Sequence, residues 1–309
     1  NVGRERLMSV ISGTSQDEPL GVGQVSAVQV RVQRKSGVEF YANPLNNMVF
    51  DGADANLAWA TATYTVNWDN WTLSSGIPWV SGSTYTVNAR ARDWAASHSM
   101  VYSTYTFVYD VVPPSSTVLY PIHGSTISAL ASLSGTMTDV TNASLPDNIN
   151  LGSVPTMRMK LRRLSDGWYW DGGSWQSGEQ VVQTALAGME VWTTSWTINP
   201  SKLPQTGNGT LTSGTSYYVT SSGIDDAADG GNPEVWDSPR GSTFTFDNSV
   251  PNTTIAAPLP GRKYKSLPTI SGGSFDNVAV ATVSISIEQT GKAPPNCYRT
   301  NPDNDFEGA

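Results

Sequence analysis

The sequence predicts an all-β protein built from sandwich domains in tandem, and three observations predict it. Apolar and hydroxyl-bearing side chains alternate over strand lengths, and no stretch keeps a helical period through three turns. The composition, with 28 Gly and 19 Pro beside 7 Phe, 11 Trp and 12 Tyr, fits turn-rich structure whose pleated core is filled by aromatics. The chain also repeats itself with a period of about 137 residues, taken from Asp110 to Asp247.

Several sets of matching segments define the repeat. Ile11-Ser12-Gly13, Leu133-Ser134-Gly135 and Ile270-Ser271-Gly272 form one set, and strands at Val28–Val32, Met157–Leu161 and Val283–Ile287 form another. Tyr105–Tyr109 and Phe244–Phe246 alternate with a period of two and read as closing strands. Each runs into an aspartate and a proline-bearing linker, Asp110-Val111-Val112-Pro113-Pro114 and Asp247-Asn248-Ser249-Val250-Pro251. Pro121-Ile122-His123-Gly124 then matches Pro258-Leu259-Pro260-Gly261. Inside the repeats, Ala62, Tyr64, Val66 and Trp68 alternate with threonines and Asn67, while Trp192, Trp196 and Ile198 share one face of residues 191–198. One apolar face and one hydroxyl face is how an antiparallel strand reads when it covers a core on one side only. Two such sheets packed face to face make a sandwich.

The sharpest local signal precedes the last hairpin of each complete repeat. It reads Trp79-Val80-Ser81-Gly82-Ser83-Thr84-Tyr85-Thr86-Val87 and Leu211-Thr212-Ser213-Gly214-Thr215-Ser216-Tyr217-Tyr218-Val219. A large apolar residue, Gly three later, Tyr three after that and Val two further on is the pattern of a tyrosine corner. Gly82 and Gly214 permit the tight turn, and the hydroxyls of Tyr85 and Tyr217 can bond back to the connection while their rings pack in the core. Together with the closing aromatic strand, its terminal Asp, the proline linker and the Ile/Leu-Ser-Gly strand, these corners resemble bacterial immunoglobulin-like repeats of fibronectin type III character. Such repeats are strung in tandem in large secreted or cell-surface proteins. The resemblance covers nearly the whole chain and implies tandem immunoglobulin-like β-sandwich domains. It implies architecture more than activity, because folds of this kind host many functions.

The repeat sets the expected boundaries. Residues 1–112 form an immunoglobulin-like repeat lacking its first strand, residues 113–249 a second repeat, and residues 250–309 the first half of a third. A half-sandwich exposes an apolar sheet face and unpaired edges. Two explanations stand: the chain is a segment of a longer array, or neighbouring copies complete each other. In the second case residues 252–257 add the missing edge strand to repeat one of another copy. Pro113 and Pro114 in the first linker restrict the connection, so adjacent domains are expected at a preferred angle.

Composition removes most other classes. Eighteen Lys+Arg against 26 Asp+Glu, a net charge of −8, offer no basic footprint for nucleic acid or an anionic membrane. No apolar run approaches the roughly 20 residues of a membrane-spanning helix. One cysteine, Cys297, cannot form an intrachain disulfide, and two histidines, His98 and His123, leave little for a zinc site or a histidine base. No segment has the spacing of a phosphate loop, a zinc protease or a nucleophile elbow. The expectation is a protein that is not an enzyme and has no organic cofactor.

Two constellations are candidate sites. Asp225, Asp226 and Asp229, with Gly230, Gly231 and Asn232, make the densest acidic loop, and hard oxygen ligands on a glycine-rich loop suit calcium. A solvated turn is the alternative. Asp166–Trp175 reads as a hairpin with Asp-Gly and Gly-Gly turns, whose Trp168, Trp170 and Trp175 offer flat faces for sugar rings. Cross-strand packing within the hairpin is the alternative there.

The expected function is a non-catalytic extracellular structural protein, a segment of a tandem array forming a surface fibre, sheath or stalk. Its partners are adjacent repeats or neighbouring copies. Tyr85, Tyr217, Asp110, Pro113, Pro114, Asp247 and Pro251 would then serve as scaffold. The alternatives are an adhesin binding glycans or a cell surface through the tryptophans, and a spacer within a large secreted enzyme.

Overall fold

A computed structural model describes residues 3–16, 24–36, 38–52, 54–65, 67–74, 76–139, 154, 156–185, 193–198, 200–204, 211–236, 240–289, 297–299 and 306–308. Strands dominate it; the one helical element among the described residues is a single 3-10 turn at Pro200–Lys202.

The first unit runs β1 (Gly3–Glu5), β2 (Val10–Thr14), β3 (Val25–Ser36), β4 (Val38–Asn43), β5 (Val49–Gly52), β6 (Ala60–Thr61), β7 (Thr63–Tyr64), β8 (Asn70–Ser74), β9 (Ser83–Asp93) and β10 (Ser103–Tyr109). The larger sheet has the order β1-β10-β9-β3-β4-β5, with β6 also on β3, and the smaller sheet has the order β2-β8-β7. Alternation explains the layering. Val28, Val30 and Val32 point inward from β3 and are essentially inaccessible, as are Tyr85 on β9 and Phe107 on β10. Ile11 and Trp71 meet them from the smaller sheet. Each such side chain contributes roughly 1.5–3 kcal/mol by leaving water. The expected alternating run through Ala62 and Tyr64 divides into two short strands. β6 pairs with β3 and β7 with β8, so the chain crosses from one sheet to the other between Thr61 and Thr63.

The second unit repeats this plan with β11 (Ser115–Tyr120), β12 (Ser125–Ile127), β13 (Leu133–Thr138), β14 (Thr156–Arg163), β15 (Tyr169–Trp170), β16 (Trp175–Gln176), β17 (Val182–Ala185), β18 (Thr193–Ile198), β19 (Thr215–Ile224) and β20 (Ser242–Phe246). Its larger sheet runs β12-β20-β19-β14-β15-β16, with β17 also on β14, and its smaller sheet runs β11-β13-β18. The core gathers Trp196, Met137, Met157, Leu161, Tyr217 and Phe244, all at 1% exposure or less. Trp192 lies outside the described residues, while Trp196 and Ile198 face inward together as their alternation requires.

The Ser-Gly element has a packing reason. A Cβ at Gly13 would collide with the Trp71 indole, and one at Gly135 with the Trp196 indole and the Thr117 carbonyl oxygen. Only glycine lets the facing strand and ring approach this closely.

The third segment holds β21 (Asn252–Ala257) paired with β22 (Ser271–Phe275), and a separate sheet of β23 (Glu288–Gln289), β24 (Cys297–Arg299) and β25 (Phe306–Gly308). The strand expected at Val283–Ile287 does not form, and Val283 and Ile285 are 50% and 59% exposed. Its counterparts β3 and β14 take their long ladders from β9 and β19. No counterpart of β9 or β19 lies beside 283–287 among the described residues, so an alternating sequence stays unpaired. The strand order of the first two units is that of all-β, immunoglobulin-like sandwiches.

Candidate functional site

The two corners form as the spacing predicts. The Val80 N–H donates to the Tyr85 hydroxyl oxygen at 2.8 Å, and the Thr212 N–H donates to that of Tyr217 at 2.9 Å. Gly82 and Gly214 take φ of 81° and 79°, the left-handed region that other residues avoid. Both rings stack on the closing strand, Tyr85 on Phe107 and Tyr217 on Phe244, at 5.6 and 5.5 Å. Burial holds both phenols above their ordinary pKa of 10.0.

The corners also hold the linkers. Ser81 Oγ accepts from the Val111 N–H at 3.1 Å; its counterpart Ser213 accepts from the Asn248 N–H at 3.1 Å and donates to Asp247 Oδ1 at 2.9 Å. Pro114 is buried against Gly223, where a Cβ would touch it, whereas Pro113 and Pro251 are exposed. The first linker is therefore seated on the second unit.

At that seat the structure assembles an acidic cluster. Asp110 follows β10, Asp139 follows β13 and Asp225 follows β19; each places a carboxylate oxygen within 4.8 Å of the others, and all three are buried. Asn232 ties the group together. Its side-chain amide donates to the Asp110 carbonyl at 3.2 Å and to Asp225 Oδ2 at 2.9 Å, and its backbone N–H donates to Asp225 Oδ1 at 2.6 Å. The Arg6 guanidinium of the first unit donates to the Gly231 carbonyl of the same loop. Burial raises the Asp225 pKa, partly offset by the Asn232 bonds. Three buried carboxylates this close repel one another unless protonated or bridged by a cation, and an all-oxygen donor set fits a hard cation such as calcium.

This regroups the acidic loop. Asp225 turns away from Asp229, which is exposed at φ 59° on the loop tip, and joins Asp110 and Asp139 instead. Asp226 is half-buried beside it. Asp139 and Arg6 were not singled out by sequence, whereas Asn232 was named with the loop. Asp139 had a signal, since it lies four residues after Leu133-Ser134-Gly135 as Asp276 lies four after Ile270-Ser271-Gly272.

The second junction uses the same positions with different chemistry. Asp247, counterpart of Asp110, accepts from the Ser249 hydroxyl at 2.6 Å and from Ser213, and these bonds keep its pKa below 3.8. Asn277 donates to Ser213 Oγ at 3.1 Å and accepts from the Ser249 hydroxyl. Asp276 accepts from the Val278 N–H at 2.9 Å.

Glu234 is a second group that sequence reasoning missed. Buried at 5% exposure, it accepts from the Ser116 N–H at 2.7 Å, the Ser116 hydroxyl at 2.5 Å and the Gly223 N–H at 2.9 Å. It also pairs with Arg240. It clasps β11, 118 residues earlier in the sequence, to β19.

The tryptophan hairpin divides by environment. Trp170 is buried in the core and its indole N–H donates to the Lys202 carbonyl at 2.7 Å. Trp175 packs edge-on to Trp170 and against Tyr217, with centroids 5.4 and 5.5 Å apart. Trp168 alone of the three is exposed, at 40%, beside Arg163. The cross-strand alternative accounts for Trp170 and Trp175, and the three do not share a surface.

No family model and no curated relative matches the chain. Among solved structures it is similar to the FN1–FN3 domains of chicken CNTN1, at 14% identity and TM-score 0.31, covering 79% of this chain and 62% of that one. It is also similar to the fibronectin(III)-like modules of Clostridium thermocellum CbhA, at 12% identity and TM-score 0.29, covering 80% of this chain and 90% of that one. A third similarity is to Escherichia coli alpha-2-macroglobulin in its native conformation, at 10% identity and TM-score 0.25, covering 88% and 15%. Among the described residues no helix is long and apolar enough to cross a membrane.

Proposed function

We propose that the chain is a non-catalytic spacer, a segment of an extracellular tandem array that holds successive sandwiches at set angles within a surface fibre, sheath or stalk. The observation that carries this reading is the buried group of Asp110, Asp139 and Asp225 with Asn232, in which the last strand of one unit and two strand ends of the next share one polar core. A flexible tether has no use for such a group, because burying carboxylates is costly unless they are bridged. Calcium is the cation that the donor set suits, and the three aspartates would hold it. Binding there stabilises the docked arrangement over the undocked one. The recurrence of the Asp110 and Asp139 positions as Asp247 and Asp276 supports the same docking logic at the next junction.

The test is thermal melting and small-angle scattering of the whole chain with calcium or with a chelator. The expected result is a higher melting temperature and a narrower range of interdomain distances in calcium, both lost in Asp225→Asn. Identical melts and scattering in calcium and chelator overturn the calcium-locked junction.

A further inference from the structure

The alternation that sends Val28, Val30, Val32, Tyr85 and Val87 into the first core sends Gln29, Arg31, Asn88 and Arg90 to the outer face of the larger sheet. The register sets Gln29 opposite Arg90 and Arg31 opposite Asn88, so the two arginines are diagonal neighbours on one face. Both guanidinium groups lie over the ring of Trp59, at 4.6 and 4.1 Å, and Arg31 also lies over Tyr41 and Tyr102, at 5.3 and 5.6 Å. Trp59 and Tyr102 meet edge-on at 5.2 Å. Two cations and three rings from β3, β4, β9 and the approaches to β6 and β10 thus form one cluster.

The charge in that cluster is not balanced. Arg31 donates to the Ala55 carbonyl and to Asn88 Oδ1, both at 3.1 Å, and Arg90 Nε donates to Gln29 Oε1 at 2.8 Å; every acceptor is neutral. Among the described residues neither arginine has a carboxylate partner, and the carboxylate of Asp54, next to Ala55 in sequence, accepts from the Asn56 N–H at 2.8 Å. The second unit shows the same face neutralised. Lys160 stands at the Arg31 position of the repeat, lies over the Trp236 ring at 4.2 Å and pairs with Glu179 at 2.6 Å. Arg158, at the Gln29 position, donates to Ser222 opposite it. A ring over a cation therefore needs no unmatched charge, yet in the first unit two like charges share one ring. Their field reaches His98, whose imidazole is held below its ordinary 6.5 by burial and then by Arg90 and Arg92, against the opposite pull of Asp93.

We propose that this face binds a saccharide bearing carboxylate groups, a uronate of an acidic polysaccharide, with Arg90 and Arg31 meeting the carboxylate and Trp59 and Tyr102 receiving the sugar ring. A guanidinium fork matches a carboxylate, and Tyr102, 40% exposed, offers an apolar ring with a hydroxyl at its tip. An acidic peptide fits less well. Peptides add to sheets through an unpaired backbone edge, whereas β3 and β9 are inner strands of the order β10-β9-β3-β4 and present side chains alone. The site is separate from the tryptophan hairpin, and it goes beyond the spacer reading without resting on it.

The test is isothermal titration of the whole chain, at low salt and in chelator, with a galacturonate trimer, its methyl ester and an oligo-glutamate. Parent, Arg90→Gln, Tyr102→Ala and Arg262→Gln are compared, the last removing an exposed charge elsewhere. The expected result is that the trimer binds while the ester and the oligo-glutamate do not, and that Arg90→Gln weakens binding by about tenfold or more. Tyr102→Ala also weakens it, Arg262→Gln leaves it unchanged, and melting curves check that each variant folds. No binding of the trimer, equal binding of the ester, oligo-glutamate bound as tightly, or Arg90→Gln and Tyr102→Ala both binding like Arg262→Gln overturns the proposal. Working in chelator keeps the aspartate junction out of the measurement, so this reading and the calcium-locked junction fail separately.

Discussion

The first and second units share corner, core plan and the order of the larger sheet, and they differ at the edges of the smaller one, which carries β7 in the first unit and β11 in the second. In the second unit β11 closes the edge of the smaller sheet, and Glu234 bonds it to β19. In the first unit no strand lies along that edge among the described residues, and a cleft borders β2 there. The difference teaches that the tyrosine corner and the Ser-Gly and tryptophan contact suffice to set the sandwich, while the edge strand decides how completely its core is sealed.

Four measurements sharpen that contrast, each read as the unfolding of the unit that carries the change. The largest effect is expected for Trp196→Ala, about 3–5 kcal/mol lost from the second unit. The corresponding Trp71→Ala should cost the first unit less, because that ring already borders the cleft. Equal losses by denaturant titration would break the comparison. Glu234→Gln should lower the second unit by about 3 kcal/mol, since Arg240 is left without its ionic partner, and leave the first unfolding transition unmoved. Tyr85→Phe and Tyr217→Phe should each cost about 1 kcal/mol, and equally, because the corner is common to both units.

The smallest effect is in pH. Both corner phenols have folded pKa values above the unfolded 10.0, so their contribution is complete below pH 10 and is lost as pH rises through the folded values. Melts between neutral and strongly alkaline pH should fall less steeply in the double Tyr→Phe variant than in the parent. An unchanged slope removes that assignment.

Much of the fold was legible because period-two alternation and corner spacing are local. Val28–Val32 and Met157–Leu161 lie within β3 and β14, and Tyr85 and Tyr217 sit where their spacing from Gly82 and Gly214 puts them. Val283–Ile287 has the same alternation and forms no strand, because a ladder needs a partner that local pattern does not report. The acidic junction was legible only in part. Asp225 is visible as a loop carboxylate, but its companions Asp110 and Asp139 lie far off in sequence and meet only when two units dock. Trp170 and Trp175 look like surface aromatics until the register of β15 on β14 turns them inward.

The pairing of the strand after each opening edge with the closing strand carries a mechanical consequence. β1 lies parallel to β10, and β12 lies parallel to β20, as Gly3–Glu5 against Phe107–Tyr109 and Ser125–Ile127 against Phe244–Phe246. Strands near the entry and exit of a unit that run the same way are pulled past each other when the array is stretched. Their evenly spaced bonds then bear the load together and not one after another. An array of such units resists tension by shear, so its lifetime under load follows the unfolding barrier of each unit.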